Sequence, residues 1–272
     1  MPLWRSFSPT LYGPPNVMSD SQHRPAGIYA SGVRLIATRE LAAYFDSPVA
    51  CIYAAVFLVL SCGMYMNTFF LAGVIDLSPY FDALPFFLIP FAPAITMGMW
   101  AQEHAQNTVE LVLTLPLTPG QVVLGKFTAA LVFYGLVLAG SLPLVIMLAW
   151  LGQPDPGPIV TGYIGALLTG ALFLAFGLFA SGLTRDQIVA FVLAGLLGFI
   201  FVVSGHDQVV AVMDGLAPAR QIGTWLYDSI SIMPHYQAFG RGVVGLTHTL
   251  YFFLMTGFFL WMNQLTVQRI RY

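Results

Sequence analysis

Residues 102–126 read QEHAQNTVELVLTLPLTPGQVVLGK, and the reading of this stretch decides the architecture. Its last seven residues, from Gly120 to Lys126, reproduce the phosphate-loop spacing G-x-x-x-x-G-K, but Phe127 stands where a Ser or Thr should hold magnesium. A working phosphate loop follows a buried strand and opens a helix whose backbone N–H groups cradle phosphates. Here Pro116 and Pro119 interrupt the approach, and no apolar strand ending in Asp supplies the other half of a nucleotide site. The same residues read directly as a helix start. Thr118 is the N-cap, Pro119 the first helical residue, Gln121 closes a capping box, and Leu117 with Val122 forms a hydrophobic staple. Lys126 then falls a turn or so inside a membrane span, with its ammonium expected to snorkel to the interface. On this reading the chain binds no ATP itself.

Composition supports a membrane setting. Of the 272 residues, 58% are apolar and only 8% charged, and the mean hydropathy is +0.79. Soluble domains carry roughly 25% charged residues, so this chain cannot cover itself with a water-facing surface. Six apolar runs approach the ~20 residues needed to cross a hydrocarbon core: 49–72, 84–101, 122–151, 159–183, 187–205 and 249–267. The third is long enough to tilt or protrude. With the N-terminus inside, Arg5, Arg24, Arg34, Arg39, Lys126, Arg185, Arg269 and Arg271 face the cytoplasm, against Arg220 and Arg241 outside. Both termini are therefore expected inside.

The flanks follow the same logic. Residues 1–30 are Pro-rich without an apolar core and read as a disordered cytoplasmic tail rather than a secretory signal. Residues 31–47 read as an amphipathic interfacial helix, with Ala37, Leu41, Tyr44 and Phe45 on one arc and Arg34 and Ile36 on the wrong sides of it. Pro85, Pro90 and Pro93 are expected to kink or split the second span. In the fourth, Gly165, Thr169, Gly177 and Ser181 form a small-residue ridge that lets a neighbouring helix approach. Residues 206–248 are too polar to span yet keep Val209, Val212, Trp225 and Leu226, which suggests short amphipathic or re-entrant helices over the outer mouth.

The chain also lacks some chemistry. No ionisable residue falls near the middle of any run, which argues against an ion-driven carrier and against intramembrane acid–base catalysis. Cys51 and Cys62 would lie about 16 Å apart along one helix, too far to bridge. His206, His235 and His248 match no metal spacing. No catalytic, cofactor-binding or metal-ligating residue is assigned. Residues 103–115 form a helix ended by Pro116, apolar on the side of Val109, Leu111, Val112 and Leu113 and polar at Glu103, Gln106, Asn107 and Glu110. Together with the capped helix start it makes an intracellular hairpin with the surface of a docking site for a soluble partner.

Several stretches resemble the gliding-motility-type permeases of the ABC type 2 exporter class. They are Arg39-Glu40-Leu41 with Tyr44-Phe45 and Ser47-Pro48, then Pro93 to Met97 with Trp100 and Glu103. Thr108 to Pro116 followed by Gly125-Lys126-Phe127, and Phe239 to Val243, complete the set. The chain departs from the pattern at Gly98, where an Arg is usual, and at Gln102, His104 and Ala105, so its coupling segment carries less charge. The resemblance implies an all-α polytopic membrane protein in which six transmembrane helices follow the interfacial helix. It implies a cytoplasmic coupling hairpin and outer re-entrant or amphipathic helices before the last span. It also implies a non-enzymatic permease subunit of the bacterial inner membrane that works as a dimer, with a second copy or with a permease-like subunit carrying an extracytoplasmic domain. Cytoplasmic ABC ATPase subunits would hold the ATP and magnesium, and the remaining partner is membrane lipid, not nucleic acid. Coupling then falls to Glu103, Thr108, Glu110, Leu113 and Pro116, and an outer family-like segment to Phe239, Arg241 and Gly242. Two other readings compete. One is a membrane anchor or assembly subunit that recruits an ATPase without transport; the other is a membrane enzyme using the outer histidines.

Overall fold

The computed structural model describes residues 26–106, 118–216 and 222–270, and every regular element among them is a helix. Helices satisfy their own backbone polar groups, the condition that lipid imposes on a spanning segment. In order they are α1 (Ala26–Asp46), α2 (Pro48–Ala72), α3 (Ser78–Thr96), α4 (Gly98–Ala105), α5 (Pro119–Ala139) and α6 (Leu142–Leu151). Then come α7 (Pro156–Leu183), α8 (Gln187–Val203), α9 (Asp207–Leu216), α10 (Ile222–Ser229), α11 (Met233–Gly240) and α12 (Leu246–Ile270). Five stretches are long and apolar enough to cross a membrane: Pro48–Ala72, Ser78–Ala105, Pro119–Leu151, Pro156–Leu183 and Leu246–Arg269. The chain is a multi-pass membrane protein.

The differences from the expected spans have local causes. The second begins at Ser78 rather than near 84, because Pro79 suits a first helical turn. The third divides at Gly140 and Ser141, and Pro143 opens the second piece. Ser141 Oγ lies 2.7 Å from Leu138 O and 2.8 Å from the Tyr163 hydroxyl, so the polar groups at this break are partnered. The fifth run is not a straight span. Helix α8 has only 17 residues, roughly 26 Å, and the chain then bends by 82° into α9, so this pair makes the sixth candidate crossing.

Helix α7 is the hub. Its expected ridge is used for packing within the subunit: Phe239 rests on Gly165 and Thr96 on Gly177, and beside the ridge Tyr134 rests on Gly170. The Tyr134 hydroxyl donates to Ala166 O at 3.0 Å. The break between α3 and α4 sits on the same helix. Ser181 Oγ accepts from the N–H groups of Trp100 (3.0 Å) and Ala101 (3.1 Å) and donates to Met97 O (2.8 Å). One hydroxyl therefore satisfies three backbone groups at a broken helix.

Helix α1 corrects the helical-wheel reading. Ile36, on the wrong side of that wheel, is only 2% exposed and anchors the helix, whereas Phe45 is 56% exposed. Ile36 packs against Gly125 of α5, and the Tyr44 ring stacks on Phe133 with centroids 4.8 Å apart. Burial of α1 is thus directed at a neighbouring helix. At the opposite end of the bundle, α9, α10 and α11 are short helices. Asp214 ties two of them together by accepting from Gly223 N at 2.7 Å and from Thr224 Oγ1 at 2.6 Å. The Tyr236 hydroxyl fastens α11 to Phe81 O of α3 at 2.8 Å.

Candidate functional site at the junction of α1, α4 and α5

The capped helix start stands as read: Thr118 N donates to Gln121 Oε1 at 2.7 Å, and Gln121 N donates to Thr118 Oγ1 at 3.4 Å. Pro119 occupies the first turn, and the helix carries Gly125 and Lys126 inward from there. Gly125 is explained by helix packing. A Cβ there would lie 2.6 Å from Ile36, so only glycine lets α1 come this close. The phosphate-loop spacing arises from a cap and a helix contact.

Lys126 does not snorkel. Its side chain is 1% exposed and turns inward, where Nζ donates to Glu103 Oε1 at 2.7 Å, Met99 O at 2.9 Å and Glu40 Oε1 at 3.2 Å. These three acceptors use all three ammonium hydrogens, and the charge lies 4.9 Å from the centre of the buried Trp100 ring. Arg39 closes the group from outside, 3.4 Å from Glu40 and 3.7 Å from Glu103. A buried charge is tolerable only when paired and hydrogen-bonded. Among the described residues two cations and two carboxylates balance in this cluster, and they come from three helices. Beside them Tyr44 donates to Ile95 O at 3.2 Å. Burial, with Glu40 nearby, holds its hydroxyl well above the usual phenol range.

The cluster forms one wall of a cavity of about 720 Å³, which Tyr53 of α2 and Gln187 of α8 also line. Gly98, one of the departures from the pattern, lies on the same wall with only Gln102 Oε1 near its Cβ position, at 3.4 Å. The cavity is therefore open where a long side chain would otherwise project.

Residues 63–266 match the family described as ABC-2 family transporter protein. The chain belongs to that family. No curated protein matches it. An ABC-2 membrane domain is the permease component of an ABC transporter.

Of the expected coupling residues, Glu103 lies in the charged junction, while Thr108, Glu110, Leu113 and Pro116 fall outside the described residues. The outer group sits at the other end of the bundle. Phe239 is fully buried, its carbonyl accepting from Thr161 Oγ1 at 2.7 Å. Arg241 lines a cavity of about 460 Å³ with Asp82 and His206. Gly242 has φ +84°, a conformation that favours glycine, and packs on Pro158. The three outer histidines divide between two places. His235 and His248 share a 2.9 Å hydrogen bond between their Nδ1 atoms, and His206 lies against Phe86 with centroids 5.8 Å apart. Among the described residues no three His, Cys, Asp or Glu side chains are grouped to hold a metal ion. Sequence reasoning missed Glu40, Arg39 and Ser181 as partners. The available signal for the charged pair was the presence of two acids and two bases at one end of an otherwise charge-poor bundle.

Proposed function

We propose that this chain is the permease subunit of an ATP-driven exporter of the gliding-motility type, and that it performs no catalysis itself. Permeases of its family are generally paired with an ABC ATPase subunit. In this reading that separate cytoplasmic subunit holds ATP and magnesium and docks on residues 103–121. The protein resides in a bacterial inner membrane with both ends of the chain in the cytoplasm. It pairs with a second permease, either another copy or a relative bearing an extracytoplasmic domain.

The observation that carries the proposal is the charged junction. A push on α4 at Glu103 reaches α5 through Lys126 and α1 through Glu40 and Arg39. An ATPase shifts such an assembly only if it binds two arrangements of the helices with different affinity, so force must enter where the partner touches. Glu110→Lys tests the docking assignment. The variant should lose most of the co-purifying ATPase and of the ATPase activity of the complex; wild-type values for both would remove residues 103–121 from the coupling role.

A further inference from the structure

A second cavity at the same end of the bundle, about 470 Å³, opens between the end of α7, the turn into α8 and the last turns of α12. It differs from the Lys126 junction in charge. His104, Arg185 and Arg269 line it, and among the described residues no acidic side chain does. Among the described residues, neither arginine has a carboxylate within ion-pair distance; every such pair belongs to the other cluster. Asp186, the neighbour of Arg185, is engaged as the cap of α8, accepting from Ile188 N at 2.7 Å and Val189 N at 3.4 Å. Two guanidinium groups therefore face one cavity with no counter-charge among the described residues. Phe179, Leu183 and Met262 add apolar wall to the cavity, and Leu183 is 53% exposed.

We infer that this cavity binds the phosphate headgroup of an anionic phospholipid, with the acyl chains lying along the outer faces of α7 and α12. Arginine presents a planar fork that matches phosphate oxygens in pairs, and basic pockets between spanning helices at the membrane surface take anionic lipid headgroups. A zwitterionic lipid would bring its own ammonium against the two arginines. A soluble phosphate compound would leave the apolar wall without a partner. The inference rests on charge and position alone and is independent of how an ATPase docks.

The experiment uses the purified full-length chain, stripped of lipid and titrated in detergent with phosphatidylglycerol, phosphatidylcholine or inorganic phosphate. Retained lipid is counted by native mass spectrometry, and the thermal midpoint is followed in parallel. Phosphatidylglycerol should be retained about tenfold over phosphatidylcholine. The preference should vanish in Arg185→Gln/Arg269→Gln and persist in Arg185→Lys/Arg269→Lys. Both arginines are exposed and form no ion pair among the described residues, so the glutamine variant should keep the wild-type midpoint without lipid. Equal retention of the two lipids, or a preference that survives the glutamine variant, would overturn the inference. Inorganic phosphate raising the midpoint as far as phosphatidylglycerol would overturn it too, assigning the cavity to a soluble phosphate compound.

Discussion

Lys126 shows how much one side chain can carry in a protein with so few charges. Its ammonium is enclosed and is the nearer of the two described cations to both carboxylates, Arg39 being more distant and 57% exposed. Removing one partner of a buried pair leaves an uncompensated charge, at a cost of about 3–5 kcal/mol. Lys126→Met should therefore lower the thermal midpoint sharply, and Lys126→Met combined with Glu40→Gln and Glu103→Gln should recover much of the loss. A wild-type midpoint in the single variant would show that the junction is not structural. The outer histidine pair makes a different residue-scale prediction. The Nδ1–Nδ1 hydrogen bond needs one donor and one acceptor. Burial, and then the adjacent His248, hold His235 below the usual imidazole range; Tyr251 covers its other face at 4.1 Å. A depressed folded value means that the unfolded chain takes up the proton first. The contribution of His235 to stability is thus complete above the ordinary imidazole value and is lost as pH falls through the folded one. Between about pH 7.5 and about pH 5 the thermal midpoint should fall more steeply in wild type than in His235→Asn. Parallel profiles would remove His235 from the acid response.

At the scale of the element, helix α1 separates what a sequence states from what it leaves out. Its polar and apolar residues are visible in order, and so is the proline that opens α2. The wheel assumed a flat lipid surface as the partner, however, and ranked Phe45 above Ile36. The partner is α5, and the notch that receives Ile36 is Gly125, 89 positions away in the chain. No local pattern links two such positions. The same limit hid the Ser181 contacts with Met97, Trp100 and Ala101: the prolines announced a break in the second span but not the hydroxyl that completes it. Where the information was local, the reading was sufficient, as with Thr118 and Gln121, whose reciprocal bonds span three residues. The notch is testable. Gly125→Ala places a methyl group against Ile36 and should destabilise by about 1–3 kcal/mol, as overpacking does. Adding Ile36→Ala should relieve part of that cost by making room. If Gly125→Ala alone matches wild type in thermal midpoint, α1 is not held by this contact.

The whole molecule turns on the number of crossings, because five spans would put the two chain ends on opposite sides and six on the same side. Length and composition leave α8 short, with 17 residues, but its neighbours settle where it runs. Gln187 lines the cavity that holds Lys126, Glu40 and Glu103. Sixteen residues later the helix ends beside α11, where Phe201 O accepts from Ile232 N at 3.3 Å. Helix α11 is bonded in turn to the first turn of α3 through Tyr236 and Phe81. One end of α8 is thus at the Lys126 level and the other at the outer helices. About 26 Å of helix covers most of a hydrocarbon core of ~30 Å, and the 82° bend into α9 occurs once that distance is used. Helix α12 returns the chain, since Arg269 shares its cavity with His104, next to Glu103. Arg39 and Arg269 therefore lie at one end of the bundle, and with Arg34, Lys126 and Arg185 they make that end the basic one. Arg241 lies at the other. In the proposed orientation the end richer in arginine and lysine faces the cytoplasm. Green fluorescent protein fused after residue 272 should then fluoresce, alkaline phosphatase inserted at residue 244 should be active, and exchanging the two reporters should silence both. An active phosphatase after residue 272 would place the two ends of the chain across the membrane from each other and reduce α8 to a re-entrant segment.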